Sequence, residues 1–166
     1  MNTSDAGRYP GFAGVEYAYV RRVAYPSFDW RTFEQPSPRH RLDRSPAAAR
    51  VALVGTAGAF MRGQPSFALG HDGDPSFREI PAAAEAIRLA HAGYDVSRAR
   101  RDPDVVFPLA LLRDLATDGA IGEFAPRCYS FMGYVPEAGP LLADTGPEVA
   151  RRLRADNVDL VLLVPS

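Results

Sequence analysis

Val158-Asp159-Leu160-Val161-Leu162-Leu163-Val164-Pro165-Ser166, the last nine residues, decide the fold. An unbroken apolar run closed by a proline reads as a fully buried β-strand running out at its C-terminal edge. Just upstream, Thr145-Gly146-Pro147-Glu148 has the Ser/Thr-x-x-Glu spacing of a capping box, with proline in the first turn. Val149, Ala150 and Leu153 follow at helical spacing. The two pieces form the αβ half of an α/β unit. In open α/β sheets, ligands bind beyond the carboxyl ends of the strands. A chain that stops at Ser166 is therefore expected to stop just short of a catalytic loop.

Composition narrows the chemistry. The 166 residues fit one domain, and a hydrophobic fraction of 46% is enough for a core. A formal charge of −1 and a pI near 6.3 argue against electrostatic capture of nucleic acid. All 19 basic residues are arginine. The absence of lysine removes Schiff-base chemistry, a lysine general base and the P-loop lysine. One cysteine and three histidines leave no structural zinc site and no internal disulfide. No apolar run reaches membrane-spanning length, and Met1-Asn2-Thr3-Ser4-Asp5 does not resemble a signal peptide. A soluble cytoplasmic protein is the default expectation, with no metal and no cofactor implied.

Working back from the C-terminus, Cys128 to Met132 reads as a strand ending at Gly133. Pro108 to Asp118 reads as an amphipathic helix: Leu109, Leu112, Leu115 and Ala116 share a face and Gly119 stands at C′. Asp102-Pro103-Asp104 marks a turn, followed by Val105-Val106-Phe107 as an apolar strand or lead-in. Ala82 to His91 is alanine-rich and predicts a helix ending at Gly93. Residues 61–81 are polar and glycine-rich, with Phe77 and Ile80 able to anchor a short strand. Val51-Ala52-Leu53-Val54 is a short buried strand, and Gly55-Thr56-Ala57-Gly58 is a tight turn after it. Residues 1–49 hold seven Arg, five Pro and four Tyr, with Trp30 and three Phe. Pro26, Pro36, Pro38 and Pro46 forbid long helices there, so an extended arm with docking aromatics is expected. Strands alternating with helices over short links favour α/β with a mostly parallel sheet.

Each candidate motif has a plainer reading. Gly55-x-x-Gly58 after a strand can cradle a phosphate, but it lacks G-x-G-x-x-G spacing and a steric role is favoured. His71 to Glu79 holds His71, Asp72, Asp74, Arg78 and Glu79 within nine residues. Such a loop suits a zwitterion, with arginine for its carboxylate and an acid for its amine. It equally suits a solvated loop with local ion pairs, which contribute little. A metal at His71, Asp72 and Asp74 is the weaker alternative. Cys128, the lone thiol, is a nucleophile on one reading and inert core on the favoured one. His40 and His91 have no motif around them. Arg98, Arg100 and Arg101 form a basic cluster, read as a solvated turn before a phosphate site.

Taken together, several stretches resemble one family. They are Arg50-Val51-Ala52-Leu53-Val54-Gly55-Thr56-Ala57-Gly58, Gly73-Asp74-Pro75-Ser76-Phe77-Arg78-Glu79-Ile80-Pro81 and His91-Ala92-Gly93-Tyr94-Asp95. Val106-Phe107-Pro108-Leu109, Gly119-x-Ile121-Gly122, Ser130-Phe131-Met132-Gly133-Tyr134 and Asn157-Val158-Asp159 complete the set. In order and spacing they are similar to the selenoprotein B family of glycine, sarcosine, betaine and D-proline reductases, from about residue 45 to Ser166.

The resemblance implies a selenocysteine, or sometimes a cysteine, immediately after the terminal strand, so that the nucleophile would follow Ser166 and a helix N-terminus would assist it. A stop at that point is then expected to be a UGA codon. The implied reaction is reductive cleavage of a C–N bond α to a carboxylate. The implied partners are a small zwitterionic amine substrate, a pyruvoyl-bearing companion subunit and a small selenoprotein, in an oligomer. Where this chain has Cys128 the family usually has histidine, which puts any role of that histidine in doubt here. The expected architecture is α/β, mostly parallel, with flanking helices in a Rossmann-like or flavodoxin-like three-layer arrangement incomplete at the C-terminus. Its expected organisation is an arm over 1–49 and the N-terminal part of one reductase domain over 50–166. The candidate substrate-binding residues are Arg78, Glu79, Asp74, His71 and Thr56, and no catalytic residue lies within the chain. A non-catalytic binding or regulatory paralogue ending at Ser166 is the competing reading, and a Cys128-dependent enzyme is a third.

Overall fold

One strand, β1 (Arg50–Gly55), organises the sheet through both of its edges. The structure, a computed structural model, describes Ala18, Tyr19, Val23 and residues 40–91 and 96–166. The chain divides into Met1–His40 and Arg41–Ser166, and the second unit holds the whole sheet. The expected N-terminal arm lies largely outside the described residues, as does the Gly93 end of the predicted Ala82–His91 helix.

Val51 pairs in parallel with both Phe124 of β5 (Glu123–Phe124) and Leu160 of β7 (Leu160–Val164), so those strands lie on opposite edges of β1. Val54 likewise pairs with Leu163 and with Tyr129 of β6 (Arg127–Ser130). β5 and β6 thus follow one another along one edge, and β7 occupies the other. β3 (Arg78–Pro81) adds antiparallel to the far side of β6. A separate two-stranded ribbon joins β2 (Ala59–Phe60) to β4 (Arg88–Leu89).

The alternation along β1 distributes its residues between two faces. Val51 and Leu53 pack with Ile80, Cys128, Phe107 and the Leu109 and Leu112 side chains of α1 (Leu109–Thr117). Ala52 packs with Tyr129, Phe131 and the Val149 and Leu153 side chains of α2 (Gly146–Ala155). A helix therefore lies on each face of a mostly parallel sheet. The Asp104 carboxylate, from a 3-10 turn at Pro103–Val105, accepts the N–H groups of Ala110 (3.0 Å) and Leu111 (2.8 Å) at the start of α1. Those donors have no partner within the helix. At the base of the sheet, Arg50 N–H donates to the Asp159 carboxylate (2.8 Å) and Asp159 N–H to Arg50 O (2.9 Å), fixing where β7 begins.

Three expectations need correction. Ala82–His91 is not a helix: Ala84 N–H closes a turn on Pro81 O, and Arg88–Leu89 is strand. The Arg113 guanidinium takes the carbonyls of Ala82 (2.8 Å) and Ala84 (3.1 Å), and Ala90 N–H donates to Gly58 O (3.0 Å). Alanine's helix preference is a few tenths of a kcal/mol per residue, ~0.5, and these tertiary bonds outweigh it. The capping box does not form. A wide turn at Leu141–Thr145 runs straight into α2, and Thr145 itself has helical dihedrals. Its hydroxyl donates instead to Pro75 O (2.7 Å), while Glu148 pairs with Arg151 and Arg152. Finally, β7 is not fully buried. Among the described strands it pairs only with β1, and Leu160, Leu162 and Leu163 are 40%, 40% and 70% exposed. An apolar run specifies a strand but not what stands beside it.

Candidate functional site

The carboxyl ends of β1, β6 and β7 meet at one place. Beyond β1, Thr56 N–H donates to Val164 O (3.1 Å). The Thr56 hydroxyl accepts the Ser166 N–H (2.8 Å) and donates to the Ser166 main-chain oxygen (3.3 Å). His91 Nε2 lies 3.2 Å from that same oxygen. An oxygen is only an acceptor, so Nε2 carries the hydrogen. Burial pushes the imidazole below its ordinary value and the Ser166 oxygen pulls it part-way back, leaving His91 neutral at pH 7.

Two glycines permit this convergence. Gly58 has φ +64°, and a Cβ there would drive into the Ala90 carbonyl. That contact, with the Ala90–Gly58 hydrogen bond, delivers His91 to the sheet end. After β6, Phe131 N–H donates to Gly55 O (2.8 Å) and Gly58 N–H to Phe131 O (2.9 Å), turning the chain over the tip of β1. Gly133 then passes so close that a Cβ would meet His91 Nε2 and stand 2.6 Å from the Ser166 oxygen. Threonine, histidine and glycine thus enclose the main chain that leaves β7.

Of the five residues expected to bind substrate, Thr56 belongs to this cluster. Asp74 and Arg78 are brought together elsewhere. The Asp74 carboxylate accepts Ala68 N–H (3.0 Å), Ser76 N–H (2.9 Å) and the Ser76 hydroxyl. Arg78 donates to Pro65 O (2.8 Å), Ser66 O (3.2 Å) and Ser76 Oγ (2.7 Å), lies 3.6 Å from Asp74 and covers the Phe67 ring. Both side chains are 12% exposed. Glu79 pairs with Arg152 (2.7 Å), tying β3 to α2. His71 is fully exposed beside Asp72. No hydrogen bond or ion pair joins these four to Thr56 among the described residues. Nor, among those residues, do three His, Cys, Asp or Glu side chains converge to hold a metal ion.

The internal contacts of Arg78 make it a brace for the 65–78 loop. Arg78→Met is expected to destabilise the protein by about 3 kcal/mol, as for breaking a largely buried pair, measured by denaturant unfolding; an unchanged midpoint would refute the brace. For Asp74, burial raises the pKa, but the Ser76 hydroxyl, the two N–H donors and the Arg78 charge together leave it lowered. Its contribution is therefore present above the unfolded value of about 3.9 and lost as pH falls through the lower folded value.

Cys128 is fully buried, and burial pushes its thiol up to about 12, against smaller opposing effects of a Leu53 main-chain hydrogen bond and the Arg113 charge. A thiol so placed is inert at neutral pH. Native protein at pH 8 is expected to show no reaction of Cys128 with a thiol reagent such as Ellman's until it unfolds; rapid native labelling would contradict its place in the core.

The sequence of residues 46–166 matches the glycine/sarcosine/betaine reductase selenoprotein B family. The chain belongs to this family. It is 40% identical over 115 residues to the D-proline reductase subunit gamma of Acetoanaerobium sticklandii, covering 68% of this chain and 47% of that one. It is 30% identical over 143 residues to the glycine reductase complex component B subunit gamma of Carboxydothermus hydrogenoformans, covering 80% of this chain and 33% of that one. Against the sarcosine reductase complex component B subunit beta of Peptoclostridium acidaminophilum it is 33% identical over 81 residues, 49% of this chain and 18% of the relative. The chain thus spans about half the length of the first relative and about a third of the second. No solved structure matches it significantly. Within this chain, His91 and Gly133 join the sheet-end cluster although no local pattern in the sequence singles them out. Both lie in the stretches that carry the resemblance, and only their tertiary meeting with Ser166 marks them. No helix among the described residues is long and apolar enough to cross a membrane.

Proposed function

We propose that this chain is the N-terminal portion of a reductase subunit that cleaves a C–N bond α to a carboxylate, with its nucleophile on the residue following Ser166. The observation that carries this reading is the double hold of Thr56 and His91 on the Ser166 main chain at the carboxyl end of the sheet. A selenocysteine or cysteine at the next position would emerge there. Its selenolate or thiolate would attack the α-carbon as the C–N electron pair leaves with the amine, which takes up a proton. The carbon held on selenium or sulfur then passes to a companion thiol- or selenol-bearing protein for reductive release.

The relatives, subunits of D-proline reductase and of glycine and sarcosine reductase complexes, support a role within a multi-subunit enzyme. A pyruvoyl-bearing companion and a small selenoprotein are the proposed partners, a small zwitterionic amine the substrate, and the cytoplasm the location. The exposed apolar edge at β7 suits further sheet and helix that would complete a Rossmann-like three-layer domain. Thr56 is retained as a substrate-side residue, whereas Asp74, Arg78 and Glu79 shape the loop and its junction with α2.

The coding sequence tests this reading. An in-frame UGA, or a cysteine codon, directly after the Ser166 codon and followed by open frame is the expected result. UAA, UAG or a different sense codon there would overturn it, and a true stop would favour a non-catalytic binding paralogue.

A further inference from the structure

A cavity of about 440 Å³ opens beside the β2–β4 ribbon. Phe60, Leu69, Ile87 and Leu89 supply its apolar wall, and Arg88 and Arg100 supply its charge. No acidic side chain lines it. Several arginines elsewhere in the described chain are paired, Arg50 with Glu123, Arg127 with Asp156, and Arg152 with Glu79 and Glu148, whereas Arg41, Arg62, Arg98 and Arg154 are exposed without such a partner among the described residues. Arg88 and Arg100 have no side-chain hydrogen bond or ion pair among the described residues. Two unspent guanidiniums over an apolar wall are the complement of a small carboxylate with an apolar body.

One wall residue, Ala90, directly precedes His91 in sequence, and His91 Nε2 faces the Ser166 oxygen. The Gly58–Ala90 contact fixes that step. We infer that this cavity is the carboxylate subsite: Arg88 and Arg100 hold the substrate's carboxylate while its α-carbon points past Ala90 towards the residue that follows Ser166. The inference rests on the proposed reductase reading and names the residues that would select its substrate.

Binding separates it from catalysis. In the full-length subunit, calorimetric titration compares D-proline with D-prolinamide, which has the same ring and no carboxylate. Arg88→Gln and Arg100→Gln are each expected to weaken D-proline binding by ~10-fold or more, as for losing a charge-assisted hydrogen bond, and to leave D-prolinamide binding and the melting temperature unchanged. Both side chains are exposed, so the fold does not depend on them. Wild-type affinity for D-proline in both variants, equal weakening of D-prolinamide, or no D-proline binding by the wild type would each overturn the inference. A variant with alanine after Ser166 must still bind D-proline with the same arginine dependence. Loss of the nucleophile reading with binding intact, or the reverse, therefore distinguishes the two claims.

Discussion

Gly58→Ala is expected to lower the melting temperature by at least ~8 °C. Two penalties combine. A positive φ of +64° costs a side chain of the L configuration about 1–2 kcal/mol. The new Cβ would also drive into the Ala90 carbonyl, a main-chain atom that no rotamer change can move aside. Relief requires the β2–β4 ribbon to shift against β1, breaking the Ala90–Gly58 hydrogen bond. A total beyond ~4 kcal/mol puts the substitution among the exceptional ones, and at ~2–4 °C per kcal/mol the shift follows. Gly63→Ala is the control. It too has positive φ, +93°, but nothing lies within 4 Å of its Cβ position. Scanning calorimetry that found the two variants equally stable would rule out the collision as the cause.

On the proposed reductase reading, His91→Ala in the full-length protein is expected to lower kcat by ~10²-fold, the scale of a 1 Å misplacement at a reacting centre. The effect is positional. Nε2–H holds the Ser166 oxygen and the Thr56 hydroxyl holds the same residue; on the proposed reading they aim the residue after it. Glutamine can present an amide N–H where Nε2–H stood. His91→Gln should therefore recover most of the lost kcat, with little change of KM in either variant. A structural loss would instead appear as a lower melting temperature with normal kcat in the folded fraction. Full activity in His91→Ala would remove His91 from the site. A pH effect on stability accompanies this placement. The folded imidazole is pushed below its unfolded value, so the unfolded chain takes up the proton first as pH falls below about 6.5. Stability declines from there down to the folded value and is unaffected above 6.5.

Much of the sheet is legible in the sequence alone. β1 and β7 are apolar runs, β6 overlaps the Cys128–Met132 stretch read as a strand, and α1 and α2 carry apolar residues at helical spacing; each lies close to where its pattern predicts. The failures were decided by partners distant in sequence. Ala82–His91 has helical propensity, but Arg113 and Gly58 claim its backbone. Thr145 has the spacing of a cap, but Pro75 O claims its hydroxyl. The β7 run is apolar enough to be buried, but only β1 pairs with it among the described strands. The site divides the same way. The place of Thr56 at the sheet end was readable from its turn after a predicted parallel strand. His91 and Gly133 were not, because their meeting depends on the Gly58–Ala90 approach and the turn after Phe131, neither of which has a local pattern. Crowded charges near a strand suggest a binding loop in the sequence, and the folded structure adds that the Arg78 guanidinium also donates to the main-chain carbonyls of Pro65 and Ser66.

The residue directly after Ser166 is where the proposed chemistry stands or falls. Full-length protein, reduced and treated with iodoacetamide at neutral pH, would be digested and mapped by mass spectrometry alongside its reductase activity. The expected outcome is a selenocysteine or cysteine directly after Ser166, alkylated while buried Cys128 is untouched, with activity lost in proportion and protected by substrate. A different residue at that position, or full activity after it has been alkylated, would rule out a nucleophile held by Thr56 and His91.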